Sequence, residues 1–145
     1  MDALEQKKLD DRLLYASKDR DLRGIRKALK DGANPDVRYI DSLYRTPLHE
    51  ACFYGYIKMV KVLLEYKANI EIDDQLDHTP LGLAAGRGQW EIVKILLEAK
   101  VNVLKKNNFG ETALETAKDR LRDQKRLCKV IKLLTEAEAN AKSNK

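Results

Sequence analysis

The sequence predicts an all-α fold, a solenoid of stacked helix-turn-helix units that are joined by β-hairpin-like loops. The first observation behind this prediction is a repeat, because residues 46–78 are echoed position by position in residues 79–111 at a fixed offset of 33. The second is that each copy carries apolar residues at the spacing of one helix face. The third is that a period of this length is typical of proteins built from stacked units. With 145 residues in total, the chain is expected to form one domain.

Each copy is expected to begin with a short helix. Thr46 and Thr79 stand where an N-cap hydroxyl can accept hydrogen bonds from the first free backbone N–H groups. A proline follows each threonine at the first helical position, where its missing N–H costs nothing. Gly55 and Gly88 then end this helix, and a second helix with an apolar stripe follows. The matched positions are Thr46-Pro47-Leu48 with Thr79-Pro80-Leu81, Ala51 with Ala84, Gly55 with Gly88, Val60 with Val93, Leu63-Leu64 with Leu96-Leu97, and Ala68-Asn69 with Val101-Asn102.

A 33-residue unit that begins Thr-Pro-Leu and keeps these positions resembles the ankyrin repeat. The resemblance extends over most of the chain. It implies an ankyrin solenoid whose concave face recognises a protein without catalysis, as an adaptor, a scaffold or an inhibitor. It also implies that His49, in the Thr-Pro-Leu-His position, hydrogen-bonds within and between units. The next copy has Gly82 at this position, so it is expected to lose that bond and some helix stability.

The first unit is degenerate and is predicted to be an N-terminal cap. At an offset of 35 its Ala16, Ile25 and Leu29 match positions of the next unit, although it lacks the Thr-Pro-Leu start. The two additional residues are expected in the turn 36–45, which makes the first hairpin longer. The outer face of this unit is expected to be polar, because nothing stacks beyond a terminal repeat.

The last unit is predicted to be a C-terminal cap. Thr112 and Glu115 form a capping box at its start. Its second helix is displaced by four residues in register, and charged residues replace apolar ones on its outer side. The capped ends and the initial Met1 favour a complete protein over a module of a larger one. The units span about residues 5–36, 37–73, 74–106 and 107–140, and 141–145 are expected to form a frayed tail.

The sequence carries no recognisable catalytic, cofactor-binding or metal-binding motif, so a protein that is not an enzyme is expected. Cys52 and Cys128 have no metal or redox spacing, and Cys52 is expected to be a small buried thiol. His49 lies one helical turn from Cys52, but two ligands without a third do not make a metal site. No stretch approaches the roughly 18 apolar residues that span a bilayer. A cytoplasmic monomer is expected, with the nucleus or a host-cell interior left open.

The resemblance also implies where a protein partner binds, namely the hairpin tips and the exposed ends of the first helices. Tyrosine and arginine are typical interface anchors, so a binding role is favoured for Tyr54 and Arg45. The predicted main hot spot is the cluster around them, which consists of Tyr39, Leu43, Tyr44, Arg45, Phe53, Tyr54 and Leu76. Phe53 and some of the tyrosines either bind the partner or plug the long first hairpin. The candidate partner-binding residues are Tyr39, Leu43, Tyr44, Arg45, Phe53, Tyr54, Leu76, His78, Arg87, Asn108, Phe109 and Arg120.

The charge is distributed unevenly along the chain. Residues 1–117 hold 19 basic and 19 acidic side chains, whereas residues 118–145 hold 9 basic and 4 acidic ones. This basic stretch predicts either a solvated cap surface or, as an alternative function, a site for nucleic acid or an acidic surface. Aromatic residues do not alternate with these charges, which argues against stacking on single strands. The residues proposed for this alternative site are Arg122, Lys125, Arg126 and Lys129.

Overall fold

A computed structural model describes residues 1–120 and 122–144 of the chain. Within these residues the chain forms eight α-helices, arranged as four consecutive pairs, and no β-strand. The first helices of the pairs are α1 (Ala3–Lys18), α3 (Pro47–Tyr54), α5 (Pro80–Gly86) and α7 (Ala113–Arg120). The second helices are α2 (Leu22–Lys30), α4 (Ile57–Glu65), α6 (Trp90–Glu98) and α8 (Gln124–Ser143). The predicted all-α solenoid is confirmed.

The helix boundaries follow from capping residues that the sequence indicates. The Thr46 hydroxyl oxygen accepts a hydrogen bond from the His49 backbone N–H at the start of α3, at 3.4 Å. Thr79 does the same for the Gly82 N–H in α5, at 3.0 Å. Gly55 follows α3 with φ of 82°, a left-handed conformation that strains other residues and that glycine adopts freely. α3 is therefore short, with eight residues, because its cap and its stop signal lie close together.

The core lies between the two layers of helices. α3 packs on α5 and α5 packs on α7, whereas α1 packs mainly on α2. Ala51, Ala84 and Ala117 are completely buried where the first helices meet, and their small side chains allow the backbones to approach closely. Leucine, isoleucine and valine side chains of both helix layers fill the remaining space, and burying each stabilises the fold by roughly 1.5–3 kcal/mol. The fully buried core side chains include Leu13, Ile25, Leu48, Val60, Leu63, Leu81, Ile92, Val93, Leu96, Val130 and Leu134.

The loops that join the second and third units, and the third and fourth, are tight hairpins. The backbone N–H of Asp74 donates to the carbonyl of His78 at 3.0 Å, and Asn107 donates to Glu111 at 3.0 Å. The side-chain oxygens of Asp74 and Asn107 accept hydrogen bonds from backbone N–H groups two and four residues further on. One polar side chain thus holds the whole turn.

The first hairpin is longer. Its closing bond runs from the Tyr39 N–H to the Arg45 carbonyl at 2.8 Å, within an isolated antiparallel bridge. Seven residues are enclosed here and five in each of the others, which confirms the two additional residues predicted for this turn. Tyr39 stands at the position that Asp74 and Asn107 occupy in the other hairpins.

Carboxylate side chains link the loops to neighbouring parts of the array. In each case the backbone N–H of an asparagine at the start of a loop donates to a carboxylate. Two of these carboxylates belong to the preceding loop, and one belongs to α1. Two of these bonds join adjacent units, and the third ties the first loop to α1. The pairs are Asn34 with Asp10 (2.7 Å), Asn69 with Asp36 (2.8 Å) and Asn102 with Glu71 (2.7 Å).

Both ends of the array differ from expectation. The outer face of α1 is not wholly polar, because Leu4 and Tyr15 are exposed there. The predicted frayed tail is a further difference, since α8 continues as a helix to Ser143, and Ala137 and Ala141 pack against the core. Lys145, the last residue of that predicted tail, lies outside the described residues. Alanine is the strongest helix former, and here it also supplies a buried face beyond the last leucine.

Candidate protein-binding face

Two rows of equivalent positions form the candidate protein-binding face. We call the hairpin-tip positions Leu43, Leu76 and Phe109 the tip row. Tyr54 in α3, Arg87 just after α5, and Arg120 in α7 lie one unit apart at the ends of the first helices, and we call them the helix-end row. The first row is apolar and the second combines an aromatic ring with two guanidinium groups.

The first hairpin presents its tip in a strained conformation. Leu43 and Tyr44 have φ of 55° and 54°, values that are uncommon for bulky residues, and both side chains are exposed. The Leu43 carbonyl accepts from the Gln75 N–H at 2.8 Å, and the Tyr44 carbonyl accepts from the Arg38 guanidinium at 2.6 Å. These bonds hold the tip in place, so its apolar side chains are positioned in the absence of a partner. Backbone strain of this kind clusters at ligand-binding segments.

Arg45 lies beneath this tip and is largely buried, with 13% of its side chain exposed. Its Nε lies 3.2 Å from Oδ2 of Asp74, and one Nη lies 3.7 Å from Oε1 of Glu50. Its guanidinium carbon is 4.9 Å from the centre of the Phe53 ring. Arg45 therefore ties the first hairpin, the second hairpin and α3 together, and its predicted contact with a partner stays a prediction.

The carboxylates of this network have altered acidity. Burial alone would raise the pKa of Asp74, but hydrogen bonds from the His78 and Leu76 backbone and from Arg45 lower it below its ordinary value. Burial raises the pKa of Glu50, and Arg45 only partly offsets this effect. Asp74 is thus held as an anion at the centre of the face.

Phe53 connects the network to the helix-end row. Its ring packs edge-on against Tyr54, with ring centres 5.0 Å apart, and Tyr54 stacks on Tyr56 at 5.6 Å. The Arg87 guanidinium carbon lies 4.6 Å from the centre of the same Phe53 ring. Phe53 is therefore a partly buried support between two guanidinium groups, whereas 53% of Tyr54 remains exposed.

The predicted binding residues fall into three groups by burial. Tyr39 and His78 are buried, so their prediction as contact residues is wrong. Arg45, Phe53 and Leu76 are partly buried. The exposed members are Leu43, Tyr44, Tyr54, Arg87, Asn108, Phe109 and Arg120.

Tyr39 is buried because the long hairpin turns its ring inward. Its phenol donates to the Leu14 carbonyl of α1 at 3.4 Å, and the Lys18 ammonium lies 5.4 Å from the ring centre. Burial raises the pKa of the Tyr39 phenol to about 12. This residue plugs the long first hairpin, which was the other interpretation that the sequence left open.

His78 is buried because it closes the second hairpin. Its ring lies 6.3 Å from the Phe109 ring, and its Nδ1 is 3.4 Å from Oδ2 of Asp74. The His78 carbonyl accepts a hydrogen bond at 3.1 Å from Nε2 of His49 in the preceding unit.

His49 has the structural role that the family resemblance implies. Its Nδ1 accepts from the Thr46 backbone N–H at 3.1 Å, so Nε2 carries the hydrogen that reaches the His78 carbonyl. Burial lowers the pKa of His49 to about 4, which keeps the imidazole neutral. Gly82 occupies the equivalent position in α5 and lacks this side chain, leaving a small gap lined by residues that include Thr79 and Glu111.

A separate apolar groove of about 480 Å³ lies along α1 and the first hairpin. Tyr15 and Ile40, which are 70% and 81% exposed, line it together with Leu14 and Val37. Tyr15 was not among the predicted binding residues. It lies outside the apolar stripe of α1, and this position in the sequence already indicates that the side chain is exposed.

The basic residues near the C-terminus are exposed, but several already have local partners. Arg126 pairs with Asp123 at 3.5 Å, and the Lys129 ammonium lies 4.3 Å from the centre of the Trp90 ring. Arg122 donates to the Asp119 carbonyl at 2.9 Å. These contacts are typical of a charged helix surface.

The chemistry available elsewhere is limited. In residues 1–120 and 122–144 no three His, Cys, Asp or Glu side chains are grouped to hold a metal ion. Burial raises the pKa of the Cys52 thiol well above its ordinary value, whereas Cys128 is exposed. No helix in this part of the chain has the length and apolar character needed to cross a membrane.

Comparison with known families agrees with this architecture. The ankyrin repeat model matches residues 44–75, and the model for ankyrin repeats (3 copies) matches residues 67–145, more than half of the chain. No curated protein matched the chain.

Proposed function

The chain belongs to the ankyrin repeat family, and we propose that it binds a protein partner, without catalysis, through the tip row and the helix-end row. Ankyrin repeats are generally protein–protein interaction modules. The observation that carries the proposal is the exposure of Leu43, Tyr44, Tyr54 and Phe109 on one face. Exposed apolar patches usually mark interaction sites. An adaptor, a scaffold or an inhibitor would use such a face in the same way.

Tyr54 is the best single residue with which to test the proposal. Its ring is fixed by Phe53 and Tyr56 on one side, so little conformational entropy is lost when a partner covers the other side. Arg45 is less suitable, because its substitution would leave the buried Asp74 carboxylate without its ion pair.

The test is affinity capture from a cell lysate with the wild type and a Tyr54→Ala/Phe109→Ala variant. Removing two exposed anchors is expected to weaken binding of the captured protein by at least about tenfold. More than half of each residue is exposed, so thermal unfolding of the variant should stay close to that of the wild type. A Tyr15→Ala variant serves as the control, because this exposed aromatic residue lies in the separate groove.

Nuclease treatment of half of each sample distinguishes protein binding from the alternative function, which is binding of nucleic acid. Capture that persists after nuclease and is lost only in the double variant supports the proposal. Capture that is lost with nuclease, or by reversing the charges of Arg122 and Arg126, would move the function to the basic C-terminal surface. Retention of the same proteins by the double variant would refute the proposed face.

A further inference from the structure

The helix-end row forms one continuous strip. The Phe53 ring lies between Tyr54 and the Arg87 guanidinium, at 5.0 and 4.6 Å. The aliphatic part of Arg120 lies over Gly86, because its Cδ is 3.6 Å from the place that a Cβ on this glycine would occupy. Tyr54, Arg87 and Arg120 are therefore adjacent on three successive units.

The two arginines of this strip are available to a ligand. Arg87 and Arg120 are both exposed, and neither takes part in any ion pair of the described residues. Arg45, the other guanidinium on Phe53, is already occupied by Asp74 and Glu50. A guanidinium that is oriented on an aromatic ring is suited to bind a carboxylate through two parallel hydrogen bonds.

The spacing of the strip indicates the conformation of the ligand. α3, α5 and α7 pack side by side, and packed helices lie about 8–10 Å apart. A polyproline II chain has three residues per turn and rises about 3.1 Å per residue, so every third side chain faces the same way about 9 Å further on. An ordinary β-strand does not fit this spacing, because side chains three residues apart point to opposite sides.

Resting on the proposed function, we infer that the helix-end row binds an acidic protein segment in the polyproline II conformation. An aromatic residue of the segment stacks on Tyr54. Carboxylates three and six residues away then meet Arg87 and Arg120.

The surrounding charges favour a peptide over a nucleic acid. Glu50 is beside the strip, and Asp77 and Asp119 are exposed on the neighbouring hairpin and helix. Evenly spaced phosphates would approach these carboxylates and be repelled. A peptide carries its charges only where its sequence places them.

The experiment uses fluorescein-labelled synthetic peptides and fluorescence anisotropy. The probe is Trp-Pro-Pro-Glu-Pro-Pro-Glu, together with the same residues in reverse order, because the direction of the bound chain is not fixed by the spacing. A peptide with lysine in place of both glutamates and an oligothymidylate are measured alongside. The protein is compared with an Arg87→Glu/Arg120→Glu variant and with Lys61→Glu/Lys94→Glu, which makes the same charge change at exposed, equivalent positions of α4 and α6.

One of the two acidic peptides is expected to bind the wild type and the Lys61/Lys94 variant equally, and the Arg87/Arg120 variant at least about tenfold more weakly. Binding should also weaken as salt concentration rises. Equal binding to both variants, binding of the lysine peptide, or binding of the oligothymidylate alone would overturn the inference. If neither peptide binds while lysate capture still depends on Tyr54 and Phe109, the acidic ligand class is wrong and the proposed function stands.

Discussion

The second and third units begin with the same three residues, Thr-Pro-Leu, yet they are joined to their neighbours differently. In the second unit the residue after Thr-Pro-Leu is His49, whose imidazole bonds Thr46 in its own unit and the His78 carbonyl in the next. In the third unit the residue after Thr-Pro-Leu is Gly82, and a small gap lies where the imidazole would be. Both units form a helix pair that begins with the same threonine cap and proline, so the repeat specifies the fold while individual side chains decide how strongly neighbouring units are held together.

The strongest test of this comparison is removal of the imidazole by His49→Ala. The substitution leaves a cavity and an unpaired buried N–H at Thr46, while the His78 carbonyl keeps only its bond from Asp74, so we expect a loss of roughly 3–5 kcal/mol in the free energy of unfolding. Urea unfolding monitored by circular dichroism measures it. A loss below about 1 kcal/mol would mean that the junction between the second and third units does not depend on His49.

The pH dependence of stability provides a second test of the same residue. The pKa of His49 is about 4 in the folded protein and 6.5 in its ordinary state, so the unfolded chain takes up the proton first. The contribution of neutral His49 to the free energy of unfolding is fully present above pH 6.5. It decreases as the pH drops toward 4, by about 3 kcal/mol in all. Unfolding curves at several pH values measure this slope. In His49→Ala the corresponding part of the slope should be absent, and an unchanged slope would contradict the assignment.

Two glycines with positive φ, Gly55 after α3 and Gly110 in the third hairpin, provide a smaller test. It measures how much side-chain contacts add to the cost of replacing a glycine in this backbone conformation. Gly55 and Gly110 both have positive φ, 82° and 76°. A Cβ on Gly55 would lie 2.7 Å from the Gln89 side chain, which bonds the Phe53 carbonyl, whereas a Cβ on Gly110 meets nothing within 4 Å. Gly110→Ala should cost about 1 kcal/mol, and Gly55→Ala about 2 kcal/mol. Thermal unfolding compares them, and equal costs would show that Gln89 moves aside freely.

The smallest expected effect is a gain of stability in the third unit. Gly82 lies within α5 in an ordinary helical conformation, and a Cβ there would only touch the Thr79 hydroxyl at 3.4 Å. Gly82→Ala should therefore stabilise the protein by about 0.5–1 kcal/mol. Urea unfolding beside the wild type detects the change. A loss of stability would show that the gap beside α5 does not tolerate a methyl group.

Much of the fold was predictable because the same local pattern of residues occurs in more than one unit. Thr46, Pro47 and Gly55 each specify a cap or a stop, and the copies in the third unit confirm the same register. The apolar stripe of α8 was also readable. Its extension to Ser143 was not, because polar residues next to the alanines hid the buried side of the helix.

The candidate site was less predictable, because a position in a repeat does not determine burial. Tyr39 lies in the only hairpin of seven residues among the three described here, so no other unit indicates which way its ring turns. His78 was expected on the surface because it closes a loop, yet the packing of Phe109 and the bond from His49 bury it. Tyr54 at the end of α3 was predicted correctly to be exposed, because the equivalent residues Arg87 and Arg120 are exposed at the same point of their units.

The loop-to-loop bonds from Asn69 to Asp36 and from Asn102 to Glu71 connect only neighbouring units. No described helix packs extensively on one more than a unit away. The chain can therefore fold without first closing a long loop, which is the slow step in proteins with distant contacts. Folding should start where the second and third units meet through His49. It should then spread to the neighbouring unit on each side, one unit at a time.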